Sequence, residues 1–348
     1  MKRVSTTRAA FAVLSLFCAW LGFATVSVNG QRVSGFTDVR ALQEKIRTVE
    51  RDSPDKAVAA MREAVEQFKT NSTAWYYYGV ALTRSGDLAG ARDAFGKALK
   101  FEPNFIQARL RLARTLLLAN QPGEAEKEAR RALDSDAKPG DAHYVFGEVY
   151  LFCGDAPKAL AEVQASIQTN SLFAPAFLLE NKATLLTLAR SNYWKPEKRE
   201  QQRQLLKDAI ESLEKYFALA QPKGNYGFLS DQLENLRFYA KAAQEDPQAP
   251  GRQVFFPDEV TIKPHILSKP APQYTDDARS AHMQGTVMIA AVLSADGNIE
   301  HLLALQTLAF GLTGTSIDAA KQIKFTPAIK DGHAVSTWTQ LEYNFNLY

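Results

Sequence analysis

Residues able to do covalent chemistry occur in this chain, but not in working groups. The five histidines, His143, His265, His282, His301 and His333, show no paired spacing with one another or with Cys18 and Cys153. A zinc site needs such pairs, because lone pairs must converge on one ion from a single turn or helix face. No Gly-x-Ser-x-Gly sets a serine on a sharp strand-to-helix turn, and no glycine loop ends in Gly-Lys-Ser/Thr to cradle a phosphate. The adjacent carboxylates Asp276 and Asp277 invite a general-acid reading. They stand where a short helix should begin, however, and carboxylates there favour the helix dipole. The expectation is no catalytic residue, no metal and no cofactor: a protein that binds rather than an enzyme.

At 348 residues the chain exceeds what one core usually organises, so two domains are expected. Its 46% hydrophobic content suits a globular chain. The formal charge is +3, but Lys2, Arg3 and Arg8 lie in an acid-free first stretch, and without them 38 basic residues face 38 acidic ones. A neutral body has no general pull toward nucleic acid or anionic membrane. The first stretch itself reads as an export signal. A basic start precedes an apolar run from Ala9 to Phe23, with small Gly22 and Ala24 for a peptidase. The alternative is an uncleaved anchor, since counting on to Val28 gives about twenty mostly apolar residues, near the minimum for a bilayer. Bulky Phe17 before Cys18 argues against lipoprotein processing. Residues 1–30 are thus a signal peptide or anchor, the remainder is expected in the periplasm or cell envelope, and membrane contact arises only if the segment stays uncleaved. A cleaved product keeps only Cys153, which can form no internal disulfide and is expected to be a small buried hydrophobe.

Self-similarity organises the middle of the chain. Trp75, Gly79, Gly86, Ala91, Phe95, Ala98 and Pro103 are followed, one 34-residue period on, by Arg109, Ala113, Asn120, Ala125, Ala129, Ala132 and Ala137. A second period brings His143, Gly147, Gly154, Ala159, Val163, Ser166 and Ser171. Small residues at Gly79, Ala113 and Gly147, and at Ala91, Ala125 and Ala159, let the two helices of a pair touch. Gly86 and Gly154 supply turns, and Asp87 and Asp155 follow as helix N-caps. One pair cannot bury its apolar face alone, so stacking is required. Upstream, Asp38 to Glu50 forms a helix, and Ser53-Pro54 opens another carrying Ala57, Met61 and Ala64. Downstream, Ala174 to Arg190 and Gln204 to Ala220 make a further pair, and Phe228 to Ala243 closes an array over residues 38–245. The basic stretch Lys195 to Lys207 reads as a solvated helix face.

This pattern resembles the tetratricopeptide repeat (TPR). The resemblance implies an all-α solenoid that binds a peptide in a groove lined by the first helix of each pair. Carried over by position, the groove is Tyr76, Val80 and Arg84, then Leu110, Arg114 and Leu117, then Tyr144, Glu148 and Leu151. Arrays that grip chaperone tails carry a lysine and asparagine clamp where Tyr76 and Val80 stand, so that ligand class is disfavoured. An apolar, aromatic groove suits an amphipathic helix or extended apolar segment.

Prolines at 247, 250, 257, 264, 270 and 272 exclude a helix over the next stretch, and residues 246–269 read as a linker. Val254, Phe255, Phe256, Val260 and Ile262 are too apolar for a solvated tether, so part of it should pack. Residues 270–348 then read as a small α+β domain, an antiparallel sheet with two helices. Thr275-Asp276-Asp277 caps a short helix through His282, and a strand runs from Thr286 to Ser294. Asp296-Gly297 signals a tight primed hairpin turn into a strand from Ile299 to about Thr307. Ser316 to Lys324 reads as a helix with Ile317, Ala320 and Ile323 inward. In the last strand Val335, Thr337, Thr339, Leu341, Tyr343, Phe345 and Leu347 make the buried face; Ser336, Trp338, Gln340, Glu342, Asn344 and Asn346 make the wetter one.

The order and spacing of Pro272-Gln273-Tyr274, Ala278, Gln284 to Val287, Asp296-Gly297, Ile317 to Ala320, Phe325 to Ala328 and Asp331-Gly332 resemble the TonB C-terminal domain. Thr275 departs from the family, which usually has proline after the tyrosine. The resemblance implies that an outer-membrane receptor segment is received as an added strand, as in energy-coupled transmembrane transport. Its contact candidates are Gln273, Tyr274, Trp338, Gln340, Glu342 and Asn344. A rival expectation is a TPR scaffold for envelope assembly that transduces no energy. The N-terminal segment lacks the histidine usual in motor-coupled TonB anchors, and the linker is short. Either way the partners are proteins.

Overall fold

A computed structural model describes residues 36–135, 139–191, 196–221, 227–245 and 254–347, so the expected signal segment 1–30 and the start of the linker lie outside the described residues. The chain divides into two compact units, residues 1–149 and 150–348, with the division inside helix α7. An N-terminal TPR-like helical region precedes a small C-terminal α+β domain.

The first unit is helical: α1 Phe36–Arg51, α2 Pro54–Gln67, α3 Ser72–Ser85, α4 Leu88–Phe101, α5 Ile106–Leu118, α6 Pro122–Ser135 and most of α7 Gly140–Phe152. Ser53 is the N-cap residue of α2, and Pro54 occupies its first turn, where a missing N–H costs nothing. Gly86 ends α3 in the left-handed region at φ 87°, and the Asp87 carboxylate accepts from Gly90 N at 2.8 Å to start α4. A Cβ on Gly79 would come within 2.7 Å of the Phe95 ring, so only glycine lets α3 and α4 pack this closely. Ala57, Ala91 and Ala125, one period apart, are each fully buried.

The second unit continues with α8 Ala156–Thr169, α9 Ala174–Arg190, α10 Arg199–Ala220 and α11 Gly227–Gln244. Asp155 caps α8 through Lys158 N, as Asp87 caps α4. Cys153, expected to be buried, is exposed: it falls after the last turn of α7, beside Gly154 at φ 78°.

Beyond α11 come β1 Val254–Phe255, β2 His265–Ser268, α12 Asp276–Ser280, β3 Gly285–Leu293, β4 Ile299–Gln306, α13 Leu312–Ala320, β5 Lys324–Thr326, β6 Ala328–Lys330 and β7 His333–Phe345. The main sheet runs β1-β7-β3-β4, with β6 also on β7, while β2 and β5 form a separate ribbon. The pairing of β1 with β7 is parallel, so the sheet is mixed rather than purely antiparallel. The Pro-rich stretch is therefore built into the domain: Val254 pairs with Ser336, Ile262 bridges Ile329, and Ile266 pairs with Phe325. Val254 and Phe256, both buried, account for the first of these contacts, since an unpaired chain would expose them to water.

Two other expectations shift. The hairpin closes Ser294 N on Asn298 O at 2.9 Å with Gly297 at φ 89°, a three-residue loop rather than a two-residue primed turn. The second helix begins at Leu312, four residues early, because Gly311 turns the chain at φ 80° and Thr313 bonds back to Leu308. Ile323 is still buried, but beyond the helix, and Lys324 belongs to β5.

Candidate functional site

Within the second unit, α11 closes one edge of the sheet. Gln232, Asn235 and Tyr239 lie at three- and four-residue spacing, hence on one helix face. Gln232 Oε1 accepts from Ala304 N, Asn235 Nδ2 donates to Leu302 O, and the Tyr239 hydroxyl donates to His301 O, each at 2.9 Å. Their partners sit on the edge strand β4, where register shifts and a left-handed His301, φ 49°, mark a bulge that turns backbone groups away from β3. Burial holds the His301 imidazole below the usual histidine range, with Glu300 opposing, and its ring stacks on Phe238 at 3.4 Å.

The same helix covers one face of the sheet. Trp338, expected on the wetter face, is only 2% exposed. Its ring centroid lies 4.4 Å from Tyr239, 5.9 Å from Phe256 and 6.1 Å from Phe238. Alternation along β7 does not disclose that a helix from outside the domain covers the start of that face. Trp338 is thus removed from the surface candidates.

The other edge is different. On the side of β7 away from β3, pairing with β6 and β1 ends at Thr337, and residues 338–345 have no strand partner there among the described residues. The Lys269 ammonium donates to Glu342 O at 2.6 Å, so this carbonyl points outward from the sheet. In an antiparallel ladder outward-facing residues alternate, which assigns the main-chain groups of Gln340, Glu342 and Asn344 to the open edge. Burial lowers the Lys269 pKa while the neighbouring Glu342 charge raises it, and the ammonium also lies 4.5 Å from the Tyr343 ring centroid. Glu342 and Asn344 are exposed and Gln340 is half-buried, whereas Leu341, Tyr343 and Phe345 enter the core with Val287, Ile289 and Leu312. Burial pushes the Tyr343 hydroxyl up to about 12.

Tyr274 and Gln273 play unequal parts. The Tyr274 hydroxyl donates to Met283 O and its ring meets Phe345 edge-on at 5.6 Å, which fastens the segment before α12 to the core. Gln273 is exposed. Thr275 fills the family's proline position by capping: its hydroxyl accepts from Ala278 N and donates to Phe310 O at 2.7 Å.

Of the residues carried over as groove positions, Tyr76, Val80, Leu110 and Leu117 are buried, while Arg84, Arg114, Tyr144, Glu148 and Leu151 keep partial exposure. The Tyr76 ring is taken up by Phe95 and Phe105, at 5.9 and 5.1 Å. Arg114 Nε pairs with Glu148 Oε2 at 2.9 Å, and Arg84 donates to Asp52 O at 3.2 Å. Of these positions in the first unit, the partly exposed side chains are therefore charged or aromatic, and the aliphatic ones are buried. Among the described residues no group of three or more His, Cys, Asp or Glu could hold a metal ion, and no helix is long and apolar enough to cross a membrane.

Two regions of the chain, the repeat of paired helices and the small sheet, each match known families. Residues 270–347 match the family described as Gram-negative bacterial TonB protein C-terminal, and residues 82–143 and 49–105 match two families described as tetratricopeptide repeat. A curated relative, Protein TonB of Vibrio cholerae serotype O1, is 32% identical over 108 residues, which are 29% of this chain and 44% of that protein. The chain thus spans less than half the length of that relative. Similar solved structures include PilW, described as a widely conserved type IV pilus biogenesis factor (19% identity, 60% of this chain and 90% of that chain, TM-score 0.48). Another is MamA from Desulfovibrio magneticus RS-1 (18% identity, 53% and 97%, TM-score 0.42). A thermophilic TPR protein of Thermus thermophilus is a third (14% identity, 59% and 98%, TM-score 0.45).

Proposed function

We propose that this is an exported envelope protein that binds other proteins without catalysis, and that the edge of β7 from Gln340 to Phe345 receives an extended partner segment as an added strand. The observation that carries the reading is the unpaired stretch of β7, with Glu342 O turned outward to the Lys269 side chain. An incoming strand would replace that one contact with a ladder of main-chain hydrogen bonds, and side chains on alternate faces would set its specificity. The partner class is an outer-membrane receptor or another envelope protein, and the periplasm is the compartment in which such a segment is met. Crosslinking through a photoreactive residue at Asn344, followed by recovery from envelope fractions, tests this. Capture of outer-membrane receptors supports the reading, and an absence of protein adducts contradicts it.

A second reading, a scaffold that transduces no energy, is favoured by the packing of Trp338 on Tyr239 and Phe256. A TonB-like domain that must travel to a distant receptor on a tether would have to break that contact and the three bonds from α11 to β4. On this reading the strand acceptor works from a fixed place on its own helices. Crosslinked partners recovered in equal yield with and without a proton gradient separate it from energy-coupled transport.

A further inference from the structure

The described residues have five strongly exposed large hydrophobic side chains, and three of them lie within six positions: Ile262 at 58%, Ile266 at 37% and Leu267 at 62% exposed. They fall on the β2–β5 ribbon and its approach. A bulge between Ile266 and Ser268 interrupts the register, and all four residues of β2 are exposed. A protein that has a core available does not leave adjacent isoleucine and leucine in water without a use, because each exposed aliphatic side chain forgoes the gain of burial. Within the segment itself the charges are of one sign. Lys263 and His265 alternate with the apolar residues, Lys324 stands opposite Ser268, and all three are exposed. From Val260 to Thr275 there is no acidic residue, although the chain beyond its N-terminal stretch is neutral. Lys263 and Lys324 have no ion-pair partner among the described residues. Nearby cations are already engaged: Lys330 bonds Glu259 O, and Lys269 bonds Glu342 O.

We propose that this ribbon is a docking surface for an anionic phospholipid bilayer, with Ile262, Ile266 and Leu267 entering the interface and Lys263 and Lys324 meeting the headgroup phosphates. Apolar side chains beside unpaired ammonium groups, in a segment without a carboxylate of its own, form the combination that gains from both terms of interfacial binding. A protein occupant fits less well. Protein interfaces concentrate affinity in tyrosine, tryptophan and arginine anchors seated in pockets. The exposed residues of this ribbon and its approach include three aliphatic side chains, lysines and a histidine, and none of those anchors; the ribbon's one phenylalanine, Phe325, is buried. The surface adjoins the β7 edge through Lys269, but Ile262, Ile266, Leu267, Lys263 and Lys324 take no part in the main-chain pairing proposed for that edge.

The test is hydrogen–deuterium exchange of the full chain on vesicles, read at the peptide covering residues 262–269, so that any binding through residues 1–30 does not enter the readout. Phosphatidylglycerol-containing vesicles should slow exchange there, and phosphatidylcholine vesicles should not. Lys263→Gln with Lys324→Gln should raise the lipid concentration for half protection on the order of thirtyfold, from about fivefold per lysine. Leu267→Asn should weaken protection with the melting temperature unchanged, since the side chain is already in water. Equal protection by both lipids, wild-type protection in the double glutamine variant, or protection that appears only when an envelope protein fraction replaces the vesicles would each overturn the proposal, the last in favour of a protein occupant.

Discussion

The hydroxyl of Tyr239 donates to the carbonyl of His301 at 2.9 Å, while the Tyr239 ring packs 4.4 Å from Trp338. One side chain thus holds both the edge and the face of the sheet. Tyr239→Phe keeps the packing and orphans the carbonyl, so a loss of about 1 kcal/mol is expected. Trp338→Ala removes the centre of the contact and should cost about 3–5 kcal/mol. Trp338→Phe should be far milder, because Trp338 Nε1 has no hydrogen-bond partner to lose. Urea titration followed by near-ultraviolet circular dichroism orders the three. Equal, small effects for all of them would mean that α11 and the sheet are not packed as described.

In the first unit, Gly79→Leu should be destabilising by about 1–3 kcal/mol or more, since even a Cβ would meet the Phe95 ring at 2.7 Å. Adding Phe95→Leu should recover part of the loss. A melting temperature unchanged by Gly79→Leu would put the repeat register in error.

His301 gives the α11–β4 junction a pH dependence. Its folded pKa lies below the ordinary 6.5 because burial disfavours the imidazolium. The unfolded chain therefore binds the proton more readily, and stability falls as pH drops through the histidine range toward the folded value. Below both values the slope from this residue vanishes. Unfolding midpoints measured between about pH 5 and 7 should decline toward acid, and His301→Gln should flatten part of that decline. A steeper decline in the variant would contradict the assignment.

The helical repeat is legible in the sequence because one spacing, 34 residues, must place small residues wherever two helices touch; Gly79 against Phe95 is that rule in atoms. The TonB-like strands are legible from alternation and from turn residues such as Gly297. Alternation says which side chains share a face, but not what covers it, so on that ground alone Trp338 faces water. The signal that corrects this lies elsewhere: Gln232, Asn235 and Tyr239 share one face of α11 with apolar Leu236 and Ala243. Polar side chains on such a stripe need buried partners, and a sheet edge supplies them. Propensity starts the helix at Leu312–Ala320 four residues late, because Gly311, Gly314 and its threonines are poor helix formers, and tertiary contacts override them. The open edge at Glu342 depends on β1 and β6 stopping at Thr337, which no local pattern encodes.

The central claim, that the β7 edge receives a partner strand, is tested most directly by proline at Gln340. Its N–H is assigned to the open side, so Gln340→Pro removes a donor from the partner's ladder and none from the pairing with β3. Phe345→Ala serves as the control, because Phe345 is buried in the core and its loss should unfold the domain. Partner capture from envelope fractions is measured for wild type and both variants, alongside their melting curves. The expected result is Gln340→Pro with a near-native melting curve and a loss of capture on the order of tenfold, as one main-chain hydrogen bond is forfeited and its acceptor on the partner left unpaired. Capture at the wild-type level, or unfolding like Phe345→Ala, would contradict strand addition at this edge.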